Sequence, residues 1–244
     1  MAEATLALRI DAPMQSWGVR SRFIRRDTES EPTKSGIVGL LAAAMGIPRD
    51  DPTRLPELTG LRMAVRVDRE GLLEFDFHTT QDVPNTFGKA HRTVVSHRFY
   101  LADALFLVLL HGERAKLREL MAAIERPHWP LYFGRKAFVP GRPLIERNHA
   151  VGGERQFTGL FDDTLESVLH RHPWLERDEH MRAQREKTAA PLRAVVETDL
   201  GDAYAELRND VPTSFAHGAR EFTSRAVRTE HVDLAALEGW TRVP

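Results

Sequence analysis

An α+β fold is predicted by three features of the sequence. These are a leading segment of period two, two amphipathic stretches of helical period, and further alternating segments between and after them. Leu6, Leu8 and Ile10 alternate with Thr5, Ala7 and Arg9, which predicts a half-buried first strand. Ile37, Leu40, Leu41, Ala44 and Met45 then recur at helical spacing behind Thr33 and Ser35, either of which can cap the helix. Gly46 and Pro48 stop it. Leu61, Met63, Val65 and Val67 alternate with polar residues, and a turn at Arg69-Glu70-Gly71 leads to Leu73, Phe75 and Phe77, so a hairpin is expected there. Ala104 to Leu110 predicts a buried strand, and Leu117, Leu120, Met121 and Ile124 a second helix ended by Pro127.

Strand, helix, two strands, excursion, strand and helix make up most of a ferredoxin-like unit, with an insertion between its second and third core strands. The insertion, about 82–100, carries Lys89, His91, Arg92, His97 and Arg98 and no acidic residue after Asp82, so it is expected to be a basic arm. Beyond Pro127 a helix is expected near 164–170 and a strand near 192–197, and the fourth core strand stays unplaced. With 244 residues and no repeat or dividing linker, one elaborated domain is expected. It comprises a core over 1–126 and a C-terminal part over 127–244 that holds a basic glycine-containing loop and late strands.

Composition excludes several classes. Apolar residues at 42% and charged residues at 28% are globular usage, and the net charge of -1 excludes a uniformly basic nucleic-acid coat. With no cysteine, disulfide scaffolds, thiolate zinc sites and thiol nucleophiles are excluded, which suits a reducing cytoplasm. No secretory signal is seen, and the most apolar run, Ile37 to Ile47, is shorter than the roughly 20 residues of a membrane span, so a cytoplasmic protein without a membrane partner is expected.

The charges are sorted by region. Arg20, Arg22, Arg25 and Arg26 are interleaved with Trp17 and Phe23 between Met14 and Arg26, without an acid. That mixture suits single-stranded RNA, whose phosphates pair with arginine and whose bases stack on rings. The competing reading makes the rings core and the arginines a solvated face. A second cluster is Leu131-Tyr132-Phe133-Gly134-Arg135-Lys136, where Gly134 allows close backbone approach to a phosphate, and the arm is a third. Acids gather instead at Asp162, Asp163, Glu166, Glu176, Asp178, Glu179 and over 197–210, so one basic and one acidic face are expected.

Catalytic patterns are sparse. Thr33-Lys34-Ser35-Gly36 lacks the first glycine of a phosphate-binding loop, although the helix start it makes can attract a phosphate through free amides. His170 and His172 are a poor metal pair, and no cofactor or metal is expected. Metal-free RNA cleavage needs a general base at the 2′-hydroxyl, for which His78, His91 and His97 are the candidates.

The blocks Pro13-Met14-Gln15-Ser16-Trp17-Gly18, Pro32-Thr33-Lys34-Ser35-Gly36, Gly39-Leu40-Leu41-Ala42-Ala43-Ala44 and Gly46-Ile47-Pro48-Arg49-Asp50-Asp51 resemble the N-terminal signature of the fifth Cas family of the RAMP superfamily, in its type I-E CRISPR Cascade form. The resemblance continues through Arg98-Phe99-Tyr100-Leu101-Ala102-Asp103, the 131–136 block, Asp210-Val211-Pro212 and Arg220-Glu221-Phe222-Thr223-Ser224-Arg225. It implies a ferredoxin-like or RRM-like RAMP body with an inserted thumb. It also implies a subunit that holds the five-prime handle of the CRISPR RNA (crRNA), caps the filament of backbone subunits, and contacts the large subunit that recognises target DNA. Carried over, the RNA-binding candidates are Trp17, Arg20, Arg22, Arg25, Arg26, Lys34, Ser35, Gly134, Arg135 and Lys136, with Lys89, His91, Arg92, His97 and Arg98 as the thumb. A related subtype cuts crRNA with tyrosine, lysine and histidine, but the only tyrosines here are Tyr100, Tyr132 and Tyr204, and none follows the first strand. The reading is a non-catalytic RNA-binding assembly subunit. The alternatives are a metal-independent endoribonuclease using His91 or His97 and a protein-protein adaptor.

Overall fold

A computed structural model of the protein describes residues 2–237 apart from 20–23, 86, 89–90, 151–152, 157, 189 and 236, and for 147–150 and 153–156 the backbone alone. β1 (Glu3–Asp11) is followed by two short strands, β2 (Met14–Gln15) and β3 (Arg25–Arg26), and by α1 (Lys34–Met45) and α2 (Leu55–Thr59). Next come β4 (Arg62–Arg69), β5 (Leu72–Pro84), β6 (His91–Ala102), β7 (Leu105–Glu113) and α3 (Arg114–Glu125). The C-terminal half adds β8 (Arg147–Ala150), β9 (Gly153–Gln156), β10 (Gly159–Phe161), α4 (Leu165–Arg171), α5 (Glu179–Thr188), β11 (Leu192–Thr198), β12 (Glu206–Ser214) and β13 (Glu221–Val232). No helix among the described residues is long and apolar enough to cross a membrane.

The architecture is mixed α and β around a seven-stranded sheet of order β10-β1-β7-β4-β11-β13-β12, antiparallel at every pairing. The helices α1 and α3 end where their sequence signals place them. The Thr33 hydroxyl accepts a hydrogen bond from the Gly36 amide at the start of α1, and Gly46 closes it in the left-handed conformation at φ 67. Ile37, Leu41, Leu117 and Leu120 from these helices pack with Leu6, Leu8, Ile10 and Val108 on one face of the sheet. Glu31 ties the entry of α1 to β11 and β12 through Arg193, at 2.8 Å, and Arg208.

Burial pushes the Glu31 carboxyl up, but hydrogen bonds from Ser30, Arg208 and Arg193 outweigh it and hold it below the usual carboxylate range. The stability it contributes is therefore present above the ordinary carboxylate pKa and lost as pH falls through the lowered one. Glu31→Gln is expected to weaken that acid dependence, measured as the difference in melting temperature between neutral pH and pH 4.

The first strand is not half-buried. Thr5, Ala7 and Arg9 are as inaccessible as the residues they alternate with. The reason is a second layer: Leu165, Val168, Leu169 and Trp174 cover the other face of the sheet over Ala7, Leu107 and Leu109. Leu192 to Thr198 forms the expected strand, and α4 begins at the Thr164 cap where a helix near 164–170 was expected. The strand on the far side of β1 is β10, with Leu6 opposite Leu160.

The hairpin expected from Leu61 to Phe77 does not form. β4 pairs with β7 and β11, while β5 leaves the large sheet and pairs with β6 over Leu72↔Ala102 to Pro84↔His91. The turn at Gly71 is wedged under Leu101 and Ala104, where a Cβ would lie 2.7 Å from the Ala104 methyl, so it moves the chain between sheets instead of folding it back. The excursion is accordingly longer than 82–100. It is one two-stranded ribbon, bulged between Thr80 and Val83, in a second sheet of order β2-β6-β3 with β5 on β6.

Candidate nucleic-acid interface

Strand pairing gathers the cations. β3 runs parallel to β6 with Arg25 opposite His97 and Arg26 opposite Arg98, so two segments of the sequence deliver four basic side chains to one short stretch of ladder. Because side chains alternate across a strand, Arg25 and His97 lie on one face and Arg26 and Arg98 on the other. Arg135 joins the second group. Its guanidinium donates to the Phe99 carbonyl at 2.6 Å and stands 5.1 Å from the Phe138 ring centroid, and Phe138 in turn packs on Tyr100.

Burial lowers the Arg135 pKa, Arg98 and Arg26 lower it further, and Asp76 opposes them. Three mutually repelling guanidiniums, two placed by strand pairing and the third by its bond to the Phe99 carbonyl, form a surface that an anion relieves, and phosphate oxygens are matching charge-assisted acceptors. Lys136, the next residue in the chain, is exposed. Arg98 also donates to Ser96 at 3.1 Å.

The remaining candidates divide. Arg20, Arg22 and Lys89 lie outside the described residues. Arg92 is exposed on the ribbon, and His91, also exposed, meets the Asp82 carboxylate at 2.7 Å. Trp17 is a correction: at 1% exposure its ring packs 5.7 Å from Phe133, and its indole N–H donates to Gln15, so it is core and offers no stacking face.

Lys34 is another correction. Its ammonium is buried and sits 2.8 Å from both oxygens of Glu197, with burial lowering its pKa and Glu197 opposing that. The helix start expected to attract a phosphate already holds a carboxylate, because the Lys34 amide donates to Asp210 at 2.8 Å, and half-buried Ser35 meets Thr33 at 3.3 Å. Gly134, at φ +89, is needed for packing: a Cβ there would sit 1.9 Å from the Ser16 carbonyl oxygen. The acidic residues do not form one face either, since Glu176 is buried against Arg69, and Glu197 and Asp210 serve Lys34 and Arg225.

The three histidines considered as a general base, His78, His91 and His97, all lie on the ribbon. His91 and His97 are six residues apart on one strand, about 20 Å at roughly 3.3 Å per residue, too far to serve one phosphodiester as acid and base. Among the described residues no group of three or more His, Asp or Glu is placed to hold a metal ion.

Sequence reasoning missed one feature of this region. Phe75, Phe77 and Phe99 form a continuous aromatic face with His97, and Arg25 lies 4.9 Å over the Phe99 ring. Their alternation is visible in the sequence, but it is the pattern of a core strand as well.

A family model described as CRISPR-associated protein (Cas_Cas5) matches residues 5–228. The chain is 36% identical over 156 residues to the CRISPR system Cascade subunit CasD of Escherichia coli (strain K12), a match covering 57% of this chain and 69% of the relative. Two solved structures share its fold. One, titled "Crystal structure of Cas protein", has TM-score 0.69 and 35% identity, covering 96% of this chain and 97% of that one. The other, from a "CRISPR RNA-guided surveillance complex", has TM-score 0.72 and 31% identity, covering 96% and 92%. Sequence blocks, family model and fold agree over most of the length, and the chain belongs to the Cas5 family of CRISPR-associated proteins.

Proposed function

We propose that the protein is a non-catalytic, crRNA-binding subunit of a type I-E Cascade surveillance complex, working in antiviral defence with the backbone and large subunits and through them on target DNA. It holds the five-prime handle and caps the backbone filament. The observation that carries the reading is the ladder of β3 on β6, which brings Arg26 and Arg98 to Arg135 on one face of the ribbon. Arg25, His91, Arg92, His97 and Lys136 extend the RNA contact, and Arg20, Arg22 and Lys89 are assigned to it from the sequence alone. Similarity to CasD and to a chain of an RNA-guided surveillance complex supports the same assignment.

The order β10-β1-β7-β4, with α1 and α3 on one face, supports a ferredoxin-like core completed by β10 as its fourth strand. The ribbon of β5 and β6 is its inserted thumb. Both halves of the chain contribute strands to the large sheet, which supports a single elaborated domain.

The isolated protein is expected to bind single-stranded handle RNA without cutting it in chelator. Each neutralised phosphate adds roughly 0.7 to the log-log salt slope. Replacing Arg22, Arg25 and Arg26 together by alanine is expected to lower that slope by about 2 and to leave melting unchanged. Unchanged slope and affinity would make these arginines a solvated face. A defined cleavage product that disappears in His91→Ala or His97→Ala would replace the reading with the endoribonuclease.

A further inference from the structure

Asp76, Arg98 and Arg26 form one row across three strands, since β5 sets Asp76 opposite Arg98 and β3 sets Arg26 on the other side of it. Paired residues point to the same face of a sheet, so the guanidiniums assigned to phosphate share their face with a carboxylate. Asp76 is exposed and, among the described residues, has no hydrogen bond or ion pair. Arg98 turns its Nε to Ser96, and Arg135 its Nη2 to the Phe99 carbonyl. The carboxylate is nonetheless near enough to Arg135 to oppose the repulsion from Arg98 and Arg26. A carboxylate beside a phosphate site weakens binding unless something donates to it, because it can only accept. We propose that Asp76 reads a base of the handle RNA: it accepts the amino group on the Watson–Crick edge of a nucleotide whose phosphate lies on Arg98 and Arg26.

The chemistry of RNA selects the partner group. Its donors are the amino and imino groups of the bases and the 2′-hydroxyl, and single strands leave the Watson–Crick edges open. The imino group of uracil lies between two carbonyl oxygens, which repel a carboxylate. Adenine, cytosine and guanine carry amino groups, and in guanine the amino and imino hydrogens lie side by side to meet both carboxylate oxygens. Spacing agrees with this division of labour. Two strand separations of about 4.8 Å place Asp76 about 10 Å from Arg26, the scale on which a nucleotide separates its phosphate from its base edge. The competing role is an electrostatic one, in which Asp76 offsets the charge of Arg98 across the ladder. Glu74 supplies the control, because it stands on the same face two residues away but opposite Tyr100, with no cation across from it.

The inference rests on the assignment of this face to handle RNA, so its test keeps the two apart. The full chain is titrated as wild type, Asp76→Ala and Glu74→Ala. The probes are handle RNA, handle RNAs in which one base at a time loses its amino group (cytosine to uracil, adenine or guanine to hypoxanthine), and handle RNAs with single 2′-deoxy substitutions. Melting temperatures within about 2 °C of wild type are expected for these exposed positions. Wild type is expected to lose about tenfold in affinity at one amino position. Asp76→Ala is expected to bind the intact and substituted RNAs at that position equally, and Glu74→Ala to keep the wild-type penalty. A wild-type chain indifferent to every amino group, or a penalty that survives in Asp76→Ala, overturns base reading. So does a penalty lost equally in Glu74→Ala, or an Asp76→Ala effect uniform over all RNAs, either of which makes Asp76 a charge on the ribbon. A sensitivity that follows the 2′-deoxy substitution instead makes it a sugar contact and overturns base reading as well. A wild-type chain that binds no handle RNA removes the RNA assignment, and this inference with it.

Discussion

Arg66→Ala is expected to cost about 3–5 kcal/mol of folding stability, because it leaves a buried carboxylate without its partner. Arg66 and Asp68 stand on β4 with both side chains wholly inaccessible, joined at 2.6 Å and 3.0 Å. The same guanidinium donates to the carbonyls of Leu169 at 3.0 Å, His172 at 2.8 Å and Pro173 at 2.9 Å. These carbonyls lie at and just beyond the C-terminal end of α4, where helix carbonyls lack intrahelical donors and the helix dipole is negative. Asp68 answers by accepting the Leu175 amide at 2.8 Å, and its own carbonyl accepts the Trp174 indole N–H at 2.8 Å.

This ion pair thus joins the second layer to the sheet from within the core, beside the Thr5 hydroxyl on the Asp163 carbonyl and the Arg69–Glu176 pair nearer its edge. Removing the guanidinium takes a donor from three carbonyls and leaves the Asp68 carboxylate with the Leu175 amide but no countercharge, and each unmade bond carries a desolvation cost. At roughly 2–4 °C per kcal/mol for a chain of this size, the melting temperature is expected to fall by about 10 °C. Arg66→Lys restores the charge but not the planar fork that reaches Asp68 and the carbonyls together, and is expected to recover less than half of the loss. A fall below about 1 kcal/mol for the alanine variant would mean that water replaces the guanidinium at these carbonyls, and that the layer is fastened elsewhere.

Arg66 also shows what local sequence reading reaches in this protein. The strands β1, β4 and β11 and the helices α1, α3 and α4 are legible because period, caps and stops are local signals: Thr33, Gly46 and Thr164 act within four residues of where they stand. Alternation distinguishes the two sides of a strand but not whether the polar side meets water or a second layer. Thr5, Arg9, Arg66 and Asp68 therefore read as exposed although they are buried.

Pairing is less legible still. Phe75 and Phe77 carry the alternation of a core strand, yet the chain turns them out on a separate ribbon. Within the candidate site, the approach of Arg25 and Arg26 to His97 and Arg98 depends on a parallel pairing about 70 residues apart that no local rule specifies. Trp17 and Lys34 fail as RNA contacts for a related reason, since Phe133 and Glu197, which bury them, are distant in the chain.

Gly134 is where packing and binding readings make opposite predictions. The loop from Leu131 to Phe138 docks on the segment after β2, with the Ser16 amide donating to the Phe133 carbonyl at 3.1 Å and the Phe133 amide to the Phe138 carbonyl at 2.8 Å. The phenyl ring of Phe133 enters the core beside Trp17, and Arg135, one residue beyond the glycine, reaches the Phe99 carbonyl. Gly134→Ala meets two obstacles. Its φ of +89 is costly for any L side chain, about 1–2 kcal/mol. The new methyl would also fall 1.9 Å from a backbone oxygen, which no rotamer change relieves, so the loop must lift by an overpacking cost of about 1–3 kcal/mol.

Gly218 separates the two obstacles, because it too has a positive φ, +76, but nothing within 4 Å of its Cβ position. Gly218→Ala is expected to show the conformational cost alone, about 1 kcal/mol, and Gly134→Ala about 3 kcal/mol in all. A lifted loop also draws Arg135 away from Arg98 and Arg26, so handle-RNA affinity is expected to fall in Gly134→Ala even at temperatures where it is folded. If this glycine serves a phosphate directly, the variant will melt like Gly218→Ala and lose only affinity. Melting both variants beside wild type, then measuring their RNA binding below the lowest transition, decides which contact the residue keeps open.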